Sequence, residues 1–292
     1  MSSALLRIHF VIFVWGMTAT LGKVITVDAV AMTWIRTVIA TLSLIALKGT
    51  SFRLPKANWK GLLAMGVTGL VVSAHWITFF HAIKVSSASL TLICMATTAV
   101  FTAILDPVIS KKPINPREIG LGMIVILAMG LIFGAEVAEH RAGLMIGLLS
   151  AALASLFTIM NSLLVKRYDT YEITVVEMST SAIVLGALYC STNPLPQPTP
   201  NDWFWLFMLG AICTAWAYLV SIEAMRELTP YTVNLANNLE PVYGIIIALT
   251  FLDEEHVSAR FWLGSILIFG SILVDALSRR KSTQTSSAIA SH

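Results

Sequence analysis

Long apolar runs recur along almost the whole of this chain, and no other feature restricts its folding as strongly. Ten can be marked, at 7–26, 30–47, 60–82, 87–109, 118–135, 143–165, 172–191, 203–224, 230–251 and 259–277. About 20 apolar residues in a helix span the hydrocarbon core of a bilayer, where every backbone N–H and C=O must be paired within the segment. A water-soluble domain has no interior large enough for ten such runs: 57% of the 292 residues are hydrophobic, 12% are charged, and the mean hydropathy is +0.80. The chain therefore reads as an all-α membrane protein with ten transmembrane helices. The second run is short and has to tilt or let its ends reach for the interface.

Charge sets the orientation. With the N-terminus in the cytoplasm, fourteen of the 19 Lys and Arg fall in cytoplasmic segments. Four (Lys23, Lys84, Arg141 and Arg260) fall outside, and Arg36 lies within a span. This asymmetry places a multi-pass protein in the cell inner membrane with both termini cytoplasmic, and it agrees with an even helix count. Run 7–26 is longer than the core of a signal peptide, about 7–15 residues, and reads as a retained span. The net charge of +3 gives no reason to expect a nucleic-acid partner. Cys94, Cys190 and Cys213 are odd in number and lie in or at the ends of apolar spans, which fits neither a disulfide framework nor a zinc site. His75 and His81 lie on different sides of one helix, so they do not form a metal pair. With no phosphate-binding GxxxxGK[ST] sequence either, no metal, cofactor or catalytic constellation is expected. Residues 282–292, STQTSSAIASH, read as a disordered cytoplasmic tail.

The two halves resemble each other weakly. Displacing the chain by 143 residues sets HWITFFHAIKVSSAS over YLVSIEAMRELTPYT, with Ser86 over Thr229, Ser89 over Thr232, Thr91 over Asn234 and Thr98 over Pro241. Residues 1–140 and 141–281 are then two repeats of five helices each. An odd number of crossings makes the second copy enter from the opposite side, so the repeats are inverted. That plan recurs in secondary transporters, whose substrate site lies near the midplane between the repeats.

Polar residues form stripes on six of the ten helices. The ninth, with NLANNLEP, puts Asn234, Asn237, Asn238 and Pro241 on one side and leucines on the other. Unpaired amides in hydrocarbon cost several kcal/mol each, so this stripe faces either helix partners or a wet cavity. The fourth carries Thr91, Cys94, Met95, Thr98 and Thr102 on one face, and the third His75, Thr78 and Phe79. The eighth carries Thr214, Tyr218 and Ser221, the first Trp15, Thr18 and Gly22, and the sixth Ser155, Thr158, Asn161 and Ser162. Six stripes, three per half, are what a central pocket requires. Pro241 removes a backbone donor near the middle of its span and is the candidate hinge. The fifth and tenth helices instead carry glycines (Gly122, Gly130, Gly134, Gly264, Gly270), for packing within the chain or for a homodimer face. Monomer and homodimer both remain open.

Glu240 is the most deeply placed carboxylate. It serves either to bind a substrate amine or a proton, or to accept hydrogen bonds from neighbouring helices. Glu177 and Arg36 sit about two turns from an interface, where snorkelling or a structural ion pair would satisfy them.

Taken together, WGMTATLGK (15–23), Arg36, the Leu239-Glu240-Pro241 triplet and Glu255 nine residues before Gly264 resemble the EamA family of the drug/metabolite transporter (DMT) superfamily. The resemblance covers essentially the whole chain. It implies export of small metabolites, commonly amino acids, through a cavity between helices one, three, four, six, eight and nine, with Trp15 and Glu240 bordering the cavity or its gates. Thr98 stands where the family's first repeat often has proline, which leads us to expect a straighter fourth helix. Lys111 replaces an acidic residue, which favours a structural role for Glu255. The aromatic residues Trp15, His75, Phe79, Trp216 and Tyr218 are similar to the linings of aromatic amino-acid exporters.

The sequence thus predicts a secondary transporter that exports amino acids or similar small metabolites by alternating access. Its expected binding residues are Trp15, His75, Phe79, Thr98, Asn161, Tyr218, Asn234, Asn237, Asn238 and Glu240. Its partners would be the bilayer, a small-molecule substrate and, as an open question, protons. A passive channel or facilitator, or an intramembrane enzyme, is the competing class.

Overall fold

The computed structural model describes residues 3–51, 53, 55–133, 140–240, 242–243 and 259–290. Among these the structure is helical, with no strand. Seven helices are long and apolar enough to cross a membrane: Ser3–Val24, Ala29–Ser51, Trp59–Val85, Leu90–Ser110, Arg141–Leu164, Thr170–Thr192 and Pro200–Ala224. The remaining three apolar runs correspond to the helices Pro116–Phe133, Pro230–Asn237 and Ala259–Ala290. The last of these reaches Ala290, so the tail expected as disordered from residue 282 is helical that far. STQTSSAIASH contains neither the glycine nor the proline that would end a helix. Pro241, Glu255 and Gly134 lie outside the described residues.

We label the helices α1 (Ser3–Trp15), α2 (Thr18–Val24), α3 (Ala29–Lys48), α4 (Trp59–Val85), α5 (Ala88–Ala96), α6 (Thr98–Ser110), α7 (Pro116–Phe133), α8 (Arg141–Leu164) and α9 (Thr170–Thr192). They are followed by α10 (Pro200–Phe207), α11 (Ala217–Ala224), α12 (Pro230–Asn237) and α13 (Ala259–Ala290), with a π-helical segment, Met208–Trp216, between α10 and α11. Short polar side chains mark the helix starts. Asp28 accepts from the N–H groups of Val30 and Ala31, Asn58 from Gly61, Ser87 from Leu90, Asp169 from Tyr171 and Glu172, and Thr229 from Thr232.

Thr199 and Asp202 form a reciprocal capping box at α10. Asp202, wholly buried, also accepts from the N–H and the hydroxyl of Thr26, both at 2.7 Å, and so ties the α2–α3 loop to α10. Asp202→Ala removes all of these acceptors and is expected to destabilise the fold by roughly 2–3 kcal/mol. Unfolding in detergent measures this; stability within 0.5 kcal/mol of wild type, roughly the scatter of a neutral surface change, would contradict it.

Three spans are interrupted near their middles. α1 gives way to α2 at Gly16–Met17, α5 to α6 at Thr97, and α12 ends in a turn at Asn238–Leu239. At each break the hydrogen bonding tightens from i−4 to i−3: Met17 N–H to Val14 O, Thr97 to Cys94, Asn238 to Leu235 and Leu239 to Ala236. The break after α12 lies just before Pro241, a residue with no N–H to give the Asn237 carbonyl. The expectation that the fourth helix would be straighter is therefore corrected. Thr97 replaces proline chemistry with its own side chain, whose hydroxyl donates to Cys94 O at 2.6 Å.

In the packing, α4 lies against α8 and α9, α3 against α9 and the π-helical segment, and α7 against α13. Leu47, Leu127, Ile183 and Ile266 are exposed on the outside, whereas Thr37, Thr68, Ser150, Thr158 and Asn161 are buried. Apolar side chains face outward and small polar ones inward, an arrangement that suits lipid as the solvent.

Candidate functional site

The breaks converge on one cavity. By the volume open to the centres of water-sized spheres it measures about 80 Å³, against roughly 10–15 Å³ for a single water. It has room for several waters or a small solute. Trp15 and Thr18 flank the first break, Met95 and Thr98 the second, and Asn237, Asn238 and Glu240 the third, so the irregular turns put side chains and loosened backbone on the cavity together.

Nine of the ten residues expected from sequence line this cavity: Trp15, His75, Phe79, Thr98, Tyr218, Asn234, Asn237, Asn238 and Glu240. Their hydrogen bonds separate them. Asn234 is held between helices, its Nδ2 donating to Thr102 Oγ1 at 2.7 Å and its Oδ1 accepting from Thr158 Oγ1 at 3.2 Å. Asn238 Nδ2 turns back on the carbonyls of Asn234 and Leu235 at the end of its own helix. Asn237 Oδ1 and Thr98 Oγ1, by contrast, are buried with no hydrogen-bond partner among the described residues. Two of the three asparagines thus act mainly as glue, and the third keeps an acceptor for a solute or water.

Trp15 Nε1 donates to Cys213 O at 2.8 Å, a carbonyl within the π-helical segment. The wide turns of that segment also set Thr214 so that its hydroxyl donates to Leu209 O, five residues back, while accepting from Arg36. The His75 ring is fixed to α8 through Nδ1, which lies 3.0 Å from Ser150 O and 2.9 Å from Ser150 Oγ. Rings from α4, α8 and α11 build the apolar wall, with His75 5.4 Å from Phe157 and Trp76 edge-on to Tyr218 at 5.9 Å.

Asn161, the tenth expected residue, does not line the cavity. Its Nδ2 donates to Tyr218 Oη at 2.8 Å, which leaves Tyr218 between it and the open space. Of the rest of the sixth-helix stripe, Ser155 and Thr158 bond to neighbouring helices, as in the 3.0 Å bond from Thr102 to Ser155, and Ser162 donates to Ile159 O in its own helix.

Sequence reasoning missed Arg36. It neither snorkels nor forms an ion pair: it is 3% exposed, lines the cavity, and takes part in no salt bridge among the described residues. Its Nε donates to Thr214 Oγ1 at 2.9 Å, and its guanidinium carbon lies 3.8 Å from the centroid of Trp76. Stacking on an indole offsets part of the desolvation cost and leaves the remaining N–H donors for another partner. The available signal was a lone Arg in an apolar run with a span rich in aromatic residues following it. Glu240 lies on the same cavity, accepts one bond from Thr18 Oγ1 at 3.2 Å, and keeps accessible surface. It too is absent from the salt bridges among the described residues.

Against known proteins, the model of the EamA-like transporter family matches residues 2–134 and again 141–275. The chain belongs to the EamA-like transporter family. Two relatives resemble it at low sequence identity. An uncharacterized transporter, YxxF of Bacillus subtilis (strain 168), is 19% identical over 285 residues, 96% of this chain and 91% of that one. An uncharacterized transporter of Synechocystis sp. (strain ATCC 27184 / PCC 6803 / Kazusa), sll1164, is 29% identical over 90 residues, 30% of this chain and 26% of that one. A solved structure described as "Crystal structure of protein" superposes with a TM-score of 0.79 at 16% identity, covering 96% of this chain and 99% of its own, a likeness of fold alone. This EamA-like chain is accordingly a multi-pass membrane transporter whose partners are a small molecule and the bilayer.

Proposed function

We propose that this chain is a secondary transporter that exports amino acids or similar small metabolites across the inner membrane by alternating access, with the central cavity as its substrate site. The observation that carries the reading is a guanidinium and a carboxylate, Arg36 and Glu240, facing one cavity without pairing to each other. A buried charge needs an opposite charge, and a zwitterion supplies both at once: its carboxylate to Arg36 and its ammonium to Glu240. Trp76, Phe79 and Phe157 would receive an apolar side chain, and Asn237 Oδ1 would accept a remaining ammonium hydrogen. Two separate matches to one family model support two repeats, and interrupted helices around the cavity suit two repeats that rock about it.

The test is counterflow in proteoliposomes with labelled L-leucine as probe. Leucine is expected to exchange saturably and to be competed by unlabelled leucine. Isoamylamine, which lacks the carboxylate, and isocaproate, which lacks the amine, should each compete far more weakly. Flux without saturation would indicate a passive channel. Equal competition by isoamylamine and leucine would remove Arg36 from the site.

A further inference from the structure

Behind the cavity wall, and joined to it through the Tyr218 ring, lies a second buried polar cluster. Glu177, about two turns into α9, is wholly buried. Its Oε2 accepts from Tyr218 Oη at 2.8 Å, and that oxygen in turn accepts from Asn161 Nδ2 at 2.8 Å. Counting hydrogens exposes a shortage. Tyr218 has a single hydroxyl proton and gives it to Oε2, which leaves Glu177 Oε1 and Asn161 Oδ1 as two buried acceptors with no donor among the described residues. Turning the Asn161 amide over only moves the shortage, because Nδ2 could then donate to the carboxylate but Oδ1 would face a hydroxyl whose one proton is already given to Oε2.

Among the described residues no cation fills the gap. The buried ionisable side chains on the helices packed against α9 are Arg36 on α3, His75 on α4 and Tyr218 on α11. Arg36 is engaged with Thr214 and Trp76, and His75 with Ser150. Glu223, at the end of α11, accepts from Thr170 and Arg226. Among the described residues no salt bridge includes Glu177. At Gly69 the α4 backbone crosses directly on the backbone of Glu177, so that position brings no side chain to the carboxylate.

We infer that Glu177, Tyr218 and Asn161 form a proton-binding site that couples proton movement to the state of the cavity. A proton on Oε1 supplies the donor that the cluster lacks, and Asn161 Oδ1 is the acceptor available to it. Loss of the proton leaves a carboxylate whose demand for donors falls on Tyr218 and Asn161. Tyr218 carries that demand to the cavity, where its ring is part of the wall and lies edge-on to Trp76. Proton occupancy therefore biases the aromatic wall while the substrate charges stay with Arg36 and Glu240. The coupling, though not the proton site, rests on the transport reading above.

Two measurements on the purified full chain separate these claims. Infrared difference spectra across a pH step, recorded in Glu240→Gln, should show the carbonyl band of a protonated carboxylic acid that Glu177→Gln removes. If the Gln variant does not fold, Tyr218→Phe should shift the same band, because it deletes one hydrogen bond to the acid. A band unchanged by either variant overturns the proton site. In proteoliposomes with L-leucine as probe, the wild type should accumulate label under an imposed pH gradient. Glu177→Gln should lose that accumulation and keep counterflow. Accumulation retained in Glu177→Gln, or a wild type that exchanges leucine without responding to the gradient, overturns the coupling. A wild type with no counterflow overturns the transport reading instead, and the infrared band still decides the site.

Discussion

Replacing Arg36 with Gln is expected to weaken leucine binding about 30-fold or more while leaving isoamylamine binding nearly unchanged. Removing one partner of a buried, hydrogen-bonded charge pair costs about 2–5 kcal/mol, and 2 kcal/mol is already near 30-fold in Kd. Isoamylamine has no carboxylate to lose, so the variant should erase the selectivity between the two probes rather than binding as such. Gln keeps an amide donor for Thr214 Oγ1 but provides neither the charge nor the planar stack on Trp76. Competition counterflow measures both affinities. Equal weakening of the two probes would mean that Arg36 only shapes the cavity, and unchanged leucine affinity would mean that it takes no part in binding.

Much of the site was legible because membrane burial makes polar side chains conspicuous. A Trp, a His, an amide or a carboxylate inside a 20-residue apolar run has few harmless places to go, and Trp15, His75, Asn237 and Glu240 all arrive at the cavity. Hydrogen-bond direction within the stripe was not legible. Asn234 and Asn237 are three residues apart on one face, yet one is consumed by Thr102 and Thr158 while the other keeps a free acceptor. Only the relative heights of α6, α8 and α12 decide between them, and periodicity carries no information about height. The π-helical segment Met208–Trp216 escaped for a related reason. MLGAICTAW contains no proline, and its wide turns follow from Trp15, Arg36 and Thr214 sharing its carbonyls and hydroxyl. Arg36 was misjudged because depth was read along the sequence. The helix places it against Trp76, which a linear count to the interface does not reveal.

The fold itself sets the remaining large prediction. An ideal Cβ added at Gly69 would lie 2.5 Å from the Glu177 carbonyl oxygen and 2.7 Å from its Cα, so α4 and α9 meet backbone to backbone. Ser181 Oγ locks that crossing by reaching both Gly69 O at 2.9 Å and Glu177 O at 2.7 Å. Because backbone cannot swing aside as a side-chain end can, Gly69→Ala has to separate the helices and stretch the Ser181 bridge. It is expected to destabilise by roughly 2–4 kcal/mol, even though alanine is the better helix former. Gly66, one turn away on α4, is the matched control. Its added Cβ would meet only the Thr180 side chain, nearest at Oγ1 at 3.4 Å, which is ordinary contact. Gly66→Ala should therefore be neutral or gain a few tenths of a kcal/mol, up to about 1, from helix propensity. Unfolding of the two variants in one detergent makes the comparison. If they lose stability equally, α4 and α9 do not touch at Gly69, and Glu177 loses the closed surroundings on which its role as a proton site depends.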